Sequence, residues 1–179
     1  MEALTGLRAT PMSIANRVHR FFEQEQIPYE TLQHTNSHSS VQTAIAARIP
    51  LHSLAKAVIL KDDLNDYLMA VIPSSSRLQM RQVRNFLDRP VKLASESDAQ
   101  KPFSDCQFGA IPPVAQAYEM PMIWDDRLSQ VSDIYLESGD HETLLHIDQK
   151  GFQQLMQDTP HSNLCSQPRH DSRPDPYEL

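Results

Sequence analysis

Apolar residues recur along this chain at two spacings, one helical and one alternating, and the two interleave from one end to the other. Ile14, Val18, Phe21 and Phe22 fall at offsets of four, seven and eight from the first, which puts them on one helix face, with Ser13 as N-cap and Pro28 as the limit. Residues 29–32 alternate like a short strand. Residues 34–39 form a polar loop into a helix over 41–47, and Pro50 ends it. Two apolar, partly β-branched runs, 56–61 and 67–72, flank a turn-forming stretch of aspartates and Asn65 and predict a buried hairpin. Residues 80–87 read as helix and 91–93 as extended chain. Residues 95–98 open a short helix with acids near its positive end.

The stretch 103–113 contains Gly109 and the pair Pro112-Pro113, so it cannot be regular throughout. Residues 122–124 predict a strand closed by Asp125-Asp126. Residues 134–136 and 143–147 flank Ser138-Gly139-Asp140 as a second hairpin, and Phe152, Leu155 and Met156 suggest a last helix. Hairpins mixed with intervening helices predict an α/β (α+β) single domain: a mixed, largely antiparallel central sheet covered by helices, over residues 13–156. Residues 1–12, without periodicity, are expected to be a flexible N-terminus. Residues 157–179, rich in proline and polar side chains, are expected to be a flexible tail that cannot repay its ordering entropy.

Length changes this picture little, since 179 residues suit one core and not two. No apolar run approaches the roughly 18 residues of a membrane span, and the N-terminus lacks a basic stretch followed by an apolar core, so a cytoplasmic protein without a membrane partner is expected. Cys106 and Cys165 stand in no metal-ligand spacing. A net charge of -7 argues against general attraction to nucleic acid, so an RNA partner would have to meet a local basic patch. Arg77, Arg81 and Arg84, spaced to share one side of a helix and followed by Arg89 and Lys92, supply one; a solvated helix face is the ordinary alternative.

Candidate chemistry is sparse. Lys56 begins an apolar strand, where its stem can pack while the ammonium meets an anion; from position alone a solvated strand-end lysine is the commoner case. The segment Gly109-Ala110-Ile111-Pro112-Pro113 combines a permissive glycine with stiffening prolines, a composition that suits backbone N–H groups aimed at a ligand oxygen, or a plain connection. Ser138, Gly139 and His141 could orient a substrate at a hairpin tip or form only a turn. His34 and His38 are four apart in a polar setting with no evident third ligand, so no metal and no cofactor is expected. A GxSxG elbow, a P-loop and a GxGxxG turn are all missing.

In their order these pieces resemble the YbaK/ProX family of aminoacyl-tRNA deacylases, related to the editing insertion of bacterial prolyl-tRNA synthetase. The resemblance runs from about Ile14 to Met156: an N-terminal helix, 29–34 into a Ser/Thr loop, Leu54-Ala55-Lys56-Ala57-Val58, Leu93-Ala94-Ser95-Glu96, Gly109 to Pro113 as a GxxxP loop, Asp125-Asp126, and Gly139-Asp140-His141. It implies trans-editing hydrolysis of mischarged aminoacyl-tRNA, with Lys56 lining the pocket and Gly109, Ala110 and Ile111 holding the aminoacyl carbonyl through backbone groups. His34, Pro112, Pro113, Ser138, Gly139 and His141 are then expected around the substrate, Arg77, Arg81 and Arg84 on the tRNA, and an aminoacyl-tRNA synthetase as a further partner. The resemblance also implies that a ribose hydroxyl of the substrate helps to activate water. Two departures bear on amino-acid preference: Val114-Ala115 follows Pro113 where many members carry Phe-Gly, and Pro112 stands where a polar side chain often precedes the proline. Two other readings stay open: an editing fold that only binds tRNA ends, an aminoacyl ligand or a protein, and a metal-dependent hydrolase using His34, His38 and His141.

Overall fold

The structure, a computed structural model, describes residues 14–166. The expectations for residues 1–12, for Ser13 and for residues 167–179 lie outside the described residues. The chain order is α1 (Asn16–Gln24), β1 (Glu30–Gln33), α2 (Ser40–Ala47), β2 (Leu54–Asp62), β3 (Tyr67–Pro73), α3 (Met80–Leu87), β4 (Val91–Leu93), α4 (Glu96–Gln100), β5 (Met122–Asp125), β6 (Asp133–Glu137), β7 (Thr143–Asp148), α5 (Gln149–Leu155) and β8 (His161–Ser162). One mixed sheet runs β1-β7-β6-β2-β3-β5-β8, with β4 added to β2. Both predicted hairpins form, β2 with β3 and β6 with β7. Parallel pairs join β2 to β6, β3 to β5 and β5 to β8.

Local chemistry sets the element ends. Ser39 accepts from the Gln42 N–H at the start of α2, Ser95 from Asp98 at α4, and Asp148 from Gly151 at α5, so orphan helix donors are satisfied by short polar side chains. Buried Asp62 accepts from the N–H groups of Leu64 and Asp66 and from the Arg89 guanidinium, which closes the β2–β3 turn.

Successive residues of β2 serve opposite faces of the sheet. Ala55 and Ile59 join the larger core with Val18 and Phe22 of α1, Phe103, Trp124, and Phe152 and Leu155 of α5. Leu54 packs with Ala44 of α2, and Leu60 with Val83 of α3. Lys56 therefore shares the α2 and α3 side, and its position between Leu54 and Leu60 puts it where the two smaller clusters meet.

The chain beyond Gln157 differs from the expected tail as far as it is described. β8 pairs with β5, Trp124 Nε1 donates to the Thr159 carbonyl, and Leu164 and Cys165 are buried. Fully buried Asp125 accepts from the Leu164 N–H and pairs with Arg127, whose guanidinium also reaches Asn163 and the carbonyls of Cys165 and Ser166. The polar average of the segment hides this, because two apolar residues and one buried carboxylate partner suffice to dock it. Leu164→Ala is expected to lower unfolding free energy by about 2–5 kcal/mol, the cost of emptying a buried leucine site. Urea denaturation checks this, and a change near zero would mean that residues 161–166 do not belong to the cooperative fold.

Candidate active site

The site begins where the sheet comes apart. Parallel strands β2 and β6 pair only at Leu54 with Tyr135 and Ala55 with Leu136, while β4 takes over the same side of β2 from Leu60 onward. Over Lys56, Ala57 and Val58 that side of β2 has no strand partner, and a cleft of about 160 Å³ opens there. Diverging parallel strands leave such a crevice at their ends, as in open α/β sheets. Lys56 and Ala57 line it from β2, Glu137 from the end of β6, Ser37 to Ser40 and Thr43 from the entry to α2, and Gly109, Ile111 and His141 from two loops.

Lys56 is half-buried. Burial holds its ammonium below the usual lysine range; the Cys165 sulfur opposes this, and the Arg77 charge adds to it. Among the described residues no carboxylate lies within ion-pair distance of it. The docked segment 161–166 forms part of its surroundings, since Cys165 bridges to Leu78 and Ser166 donates to the Arg77 carbonyl. Cys165 itself is no nucleophile at neutral pH: burial, then the Asp125 carboxylate, pushes its thiol up to about 12.

The loop over 103–113 is braced by Gln100, whose amide donates to the carbonyls of Phe103 and Cys106. Three backbone donors were expected here, and two are occupied: the Gly109 N–H donates to Gln100 Oε1 at 2.9 Å and the Ala110 N–H to the Gln107 carbonyl. Proline has no N–H, and Pro112 and Pro113 are buried off the cleft. Ile111 alone of the five combines a cleft position with an N–H that has no partner among the described residues. Gly109 has φ +81°, and a side chain there would reach within 3.7 Å of the His141 ring.

His141 lies in the cleft wall with its Nε2 at 2.7 Å from the Phe108 carbonyl, which can only accept, so Nε2 carries the proton. Its ring meets that of His38 at 4.7 Å between centroids. Ser138 and Gly139 stand back from the cleft. Ser138 is fully buried and bonds to Asp140, while a side chain at Gly139 would come within 3.2 Å of both Ala15 and Cys106, so these two shape the turn and not a binding surface. His34 also lies behind the wall. Its Nδ1 donates to the Thr35 carbonyl and its Nε2 is buried without a partner. Among the described residues, no three His, Cys, Asp or Glu side chains converge as metal ligands.

Arg81 and Arg84 are exposed on α3, with Arg84 Nε on the Val91 carbonyl; Arg77 precedes the helix and sits near Lys56. Glu137 was not anticipated from sequence. Its Oε1 accepts from the backbone N–H groups of Ser138, Gly139, Asp140 and His141, at 3.0 to 3.4 Å. The available signal was an acid directly before a Ser-Gly turn.

A half-buried lysine and a loop residue whose N–H has no partner among the described residues line one cleft at the strand divergence, a pair of donors of the kind that can meet a carbonyl or phosphate oxygen. Residues 34–155 match the model of the aminoacyl-tRNA editing domain, and the chain belongs to that family. The match takes in Lys56, the Gly109 to Pro113 loop, Glu137 and His141. No curated protein matches the sequence. Among solved structures, a hypothetical protein superposes with TM-score 0.75 at 17% identity, over 84% of this chain and 100% of its own. A candidate trans-editing enzyme for prolyl tRNA synthetase gives 0.74 at 15%, over 89% and 99%. A candidate signal transduction protein of Marinobacter aquaeolei gives 0.69 at 16%, over 84% of this chain and 30% of its own. These likenesses show the shared fold. No described helix is long and apolar enough to cross a membrane.

Burying the Lys56 charge has a stability consequence. With its folded pKa lowered, the unfolded chain binds the proton more tightly, so the charged side chain costs stability at neutral pH; that cost fades as pH rises through the lowered value toward about 10.4. Lys56→Met is expected to melt above the wild type at pH 7, with the difference shrinking at alkaline pH. Calorimetry across pH checks this, and a lower melting temperature for the variant at pH 7 would contradict it.

Proposed function

We propose that the protein hydrolyses the ester between a wrongly attached amino acid and the terminal ribose of tRNA, acting in trans. The observation that carries this reading is the shared cleft of Lys56 and the Ile111 N–H, in a chain of the editing-domain family. Water adds to the ester carbonyl, the carbonyl oxygen gains negative charge, and collapse breaks the C–O bond to the ribose as that oxygen takes a proton. Two preorganised donors at the developing oxyanion lower this barrier most, because they cost no reorganisation in a water-poor site. The Ile111 N–H supplies one. The Lys56 ammonium supplies the second or anchors the phosphate of the terminal nucleotide.

Among the described residues no cleft hydroxyl is paired with a general base: Ser39 caps α2, Ser37 donates to Thr43, Thr43 donates to the Ser39 carbonyl, and Ser40 makes no side-chain hydrogen bond to a base. That supports attack by water, with a neighbouring ribose hydroxyl of the substrate assisting, and leaves the protein to place and to stabilise. A hydrophobic pocket separates substrates differing by one methylene by only about 1–3 kcal/mol, the shortfall that a second, hydrolytic site makes good. Arg77, Arg81 and Arg84 would meet the tRNA backbone beside the cleft.

Incubation with a panel of mischarged tRNAs, including alanyl- and cysteinyl-tRNAPro, is expected to show accelerated ester loss, and Lys56→Ala to slow it by about 10²-fold or more. Ester loss equal to the uncatalysed rate across the panel would refute the hydrolase and leave a binding module. Arg81→Ala is expected to weaken tRNA binding without altering which amino acid is removed, and to reduce the salt slope by about 1. Binding titrations over a range of salt concentrations test it, and an unchanged slope would take α3 out of the tRNA contact.

A further inference from the structure

The cleft sets donors and acceptors close together. The donors are the Lys56 ammonium and the Ile111 N–H. Two hydroxyls of the cleft, those of Ser37 and Thr43, offer only acceptors. Thr43 donates its one hydroxyl proton to the Ser39 carbonyl at 3.0 Å, so in the 2.8 Å bond between the two hydroxyls Ser37 must be the donor; both oxygens then face further partners with lone pairs alone.

Glu137 adds a charged acceptor. Its Oε1 is saturated by four backbone N–H groups, which fix the carboxylate in place, while Oε2 has no partner among the described residues. The carboxylate lines the cleft beside the lysine: after Ala55 pairs with Leu136, Lys56 and Glu137 are the next residues on the two diverging strands. A ligand matched to this arrangement carries an acceptor at one end and a cationic donor close by. An aminoacyl ester does, with its carbonyl and its α-ammonium one carbon apart.

Resting on the editing reading above, we propose that Glu137 Oε2 receives the substrate's α-ammonium, so that the cleft selects a free amino group and orients the carbonyl toward Lys56 and Ile111. Glu137 is then a substrate-binding residue, and the turn that follows it is the device that holds it rigid. Restriction to free-amine esters follows: N-blocked aminoacyl-tRNAs would be poor ligands because their amide cannot occupy the seat as a cation.

The test uses non-hydrolysable amides of 3′-amino-3′-deoxyadenosine with alanine and with serine, each free and N-acetylated, titrated calorimetrically against the full chain. The wild type is expected to bind the better free-amine form at least about 10-fold more tightly than its acetylated partner, the value of one charge-assisted hydrogen bond. Glu137→Gln keeps an Oε1 acceptor for the turn but replaces the free oxygen by a donor, and is expected to bring that ratio to within about 2-fold. Equal wild-type affinity for free and acetylated forms, no binding of either free form, or a ratio preserved in Glu137→Gln would each overturn the proposal. Amine-dependent binding without ester loss from any mischarged tRNA would support the seat while refuting the hydrolase. Ester loss indifferent to N-acetylation of the aminoacyl-tRNA would support the hydrolase and overturn the seat.

Discussion

Everything distinctive about this molecule depends on the parting of two parallel strands after a single short stretch of pairing. β2 is too long to be satisfied by β6 alone, and β4 caps its far end, so the backbone between Ala55 and Leu60 is left without a strand on that side. An open sheet edge in the middle of a domain would be costly if dry. Here it is faced by a polar loop, a helix entry and two further loops, and the space between them is the cleft. Because the cleft follows from strand lengths and pairing, Lys56 and Glu137 stand on the sheet while loops close the other walls.

Hydrogen bonds fix the few side chains on which the site draws. Lys56 is set by the β2 ladder, flanked by Leu54 and Val58 on its face, and enclosed further by the segment that Asp125 and Arg127 dock. Ile111 is set by a loop braced at Gln100, and Glu137 by four N–H groups of its own turn. Each functional group is thus held by backbone bonds and not by a neighbouring catalytic side chain. Preorganisation of this kind suits a reaction in which the protein places an ester and a water and stabilises charge.

The secondary structure was largely legible because hydrophobic periodicity reports burial directly. The helices over 80–87 and near Phe152, and both hairpins, followed from it. Lys56 and the Gly109 to Pro113 loop were found through an ordered resemblance, while position alone gave the lysine no preference for function. What sequence could not show is which backbone donors are already spent: Gly109 and Ala110 look as available as Ile111 until Gln100 and Gln107 are seen to occupy them. Glu137 and the 161–166 segment escaped for a related reason. Their roles rest on hydrogen bonds that Glu137 Oε1 accepts from the turn after it and that Asp125 accepts from a residue 39 positions later, neither of which leaves a periodic trace. The expected tail fails at Leu164 because average composition says nothing about one buried side chain.

Whether the strand divergence holds an aminoacyl ester can be read at the backbone itself. The direct measurement is a set of amide nitrogen and proton shifts for the full chain, titrated with a non-hydrolysable aminoacyl amide of 3′-amino-3′-deoxyadenosine. The largest changes are expected on Ala57, Gly109, Ile111 and the turn after Glu137. Shifts centred instead on the α3 and β4 surface around Arg84 and Lys92, or absent at saturating ligand, would contradict it.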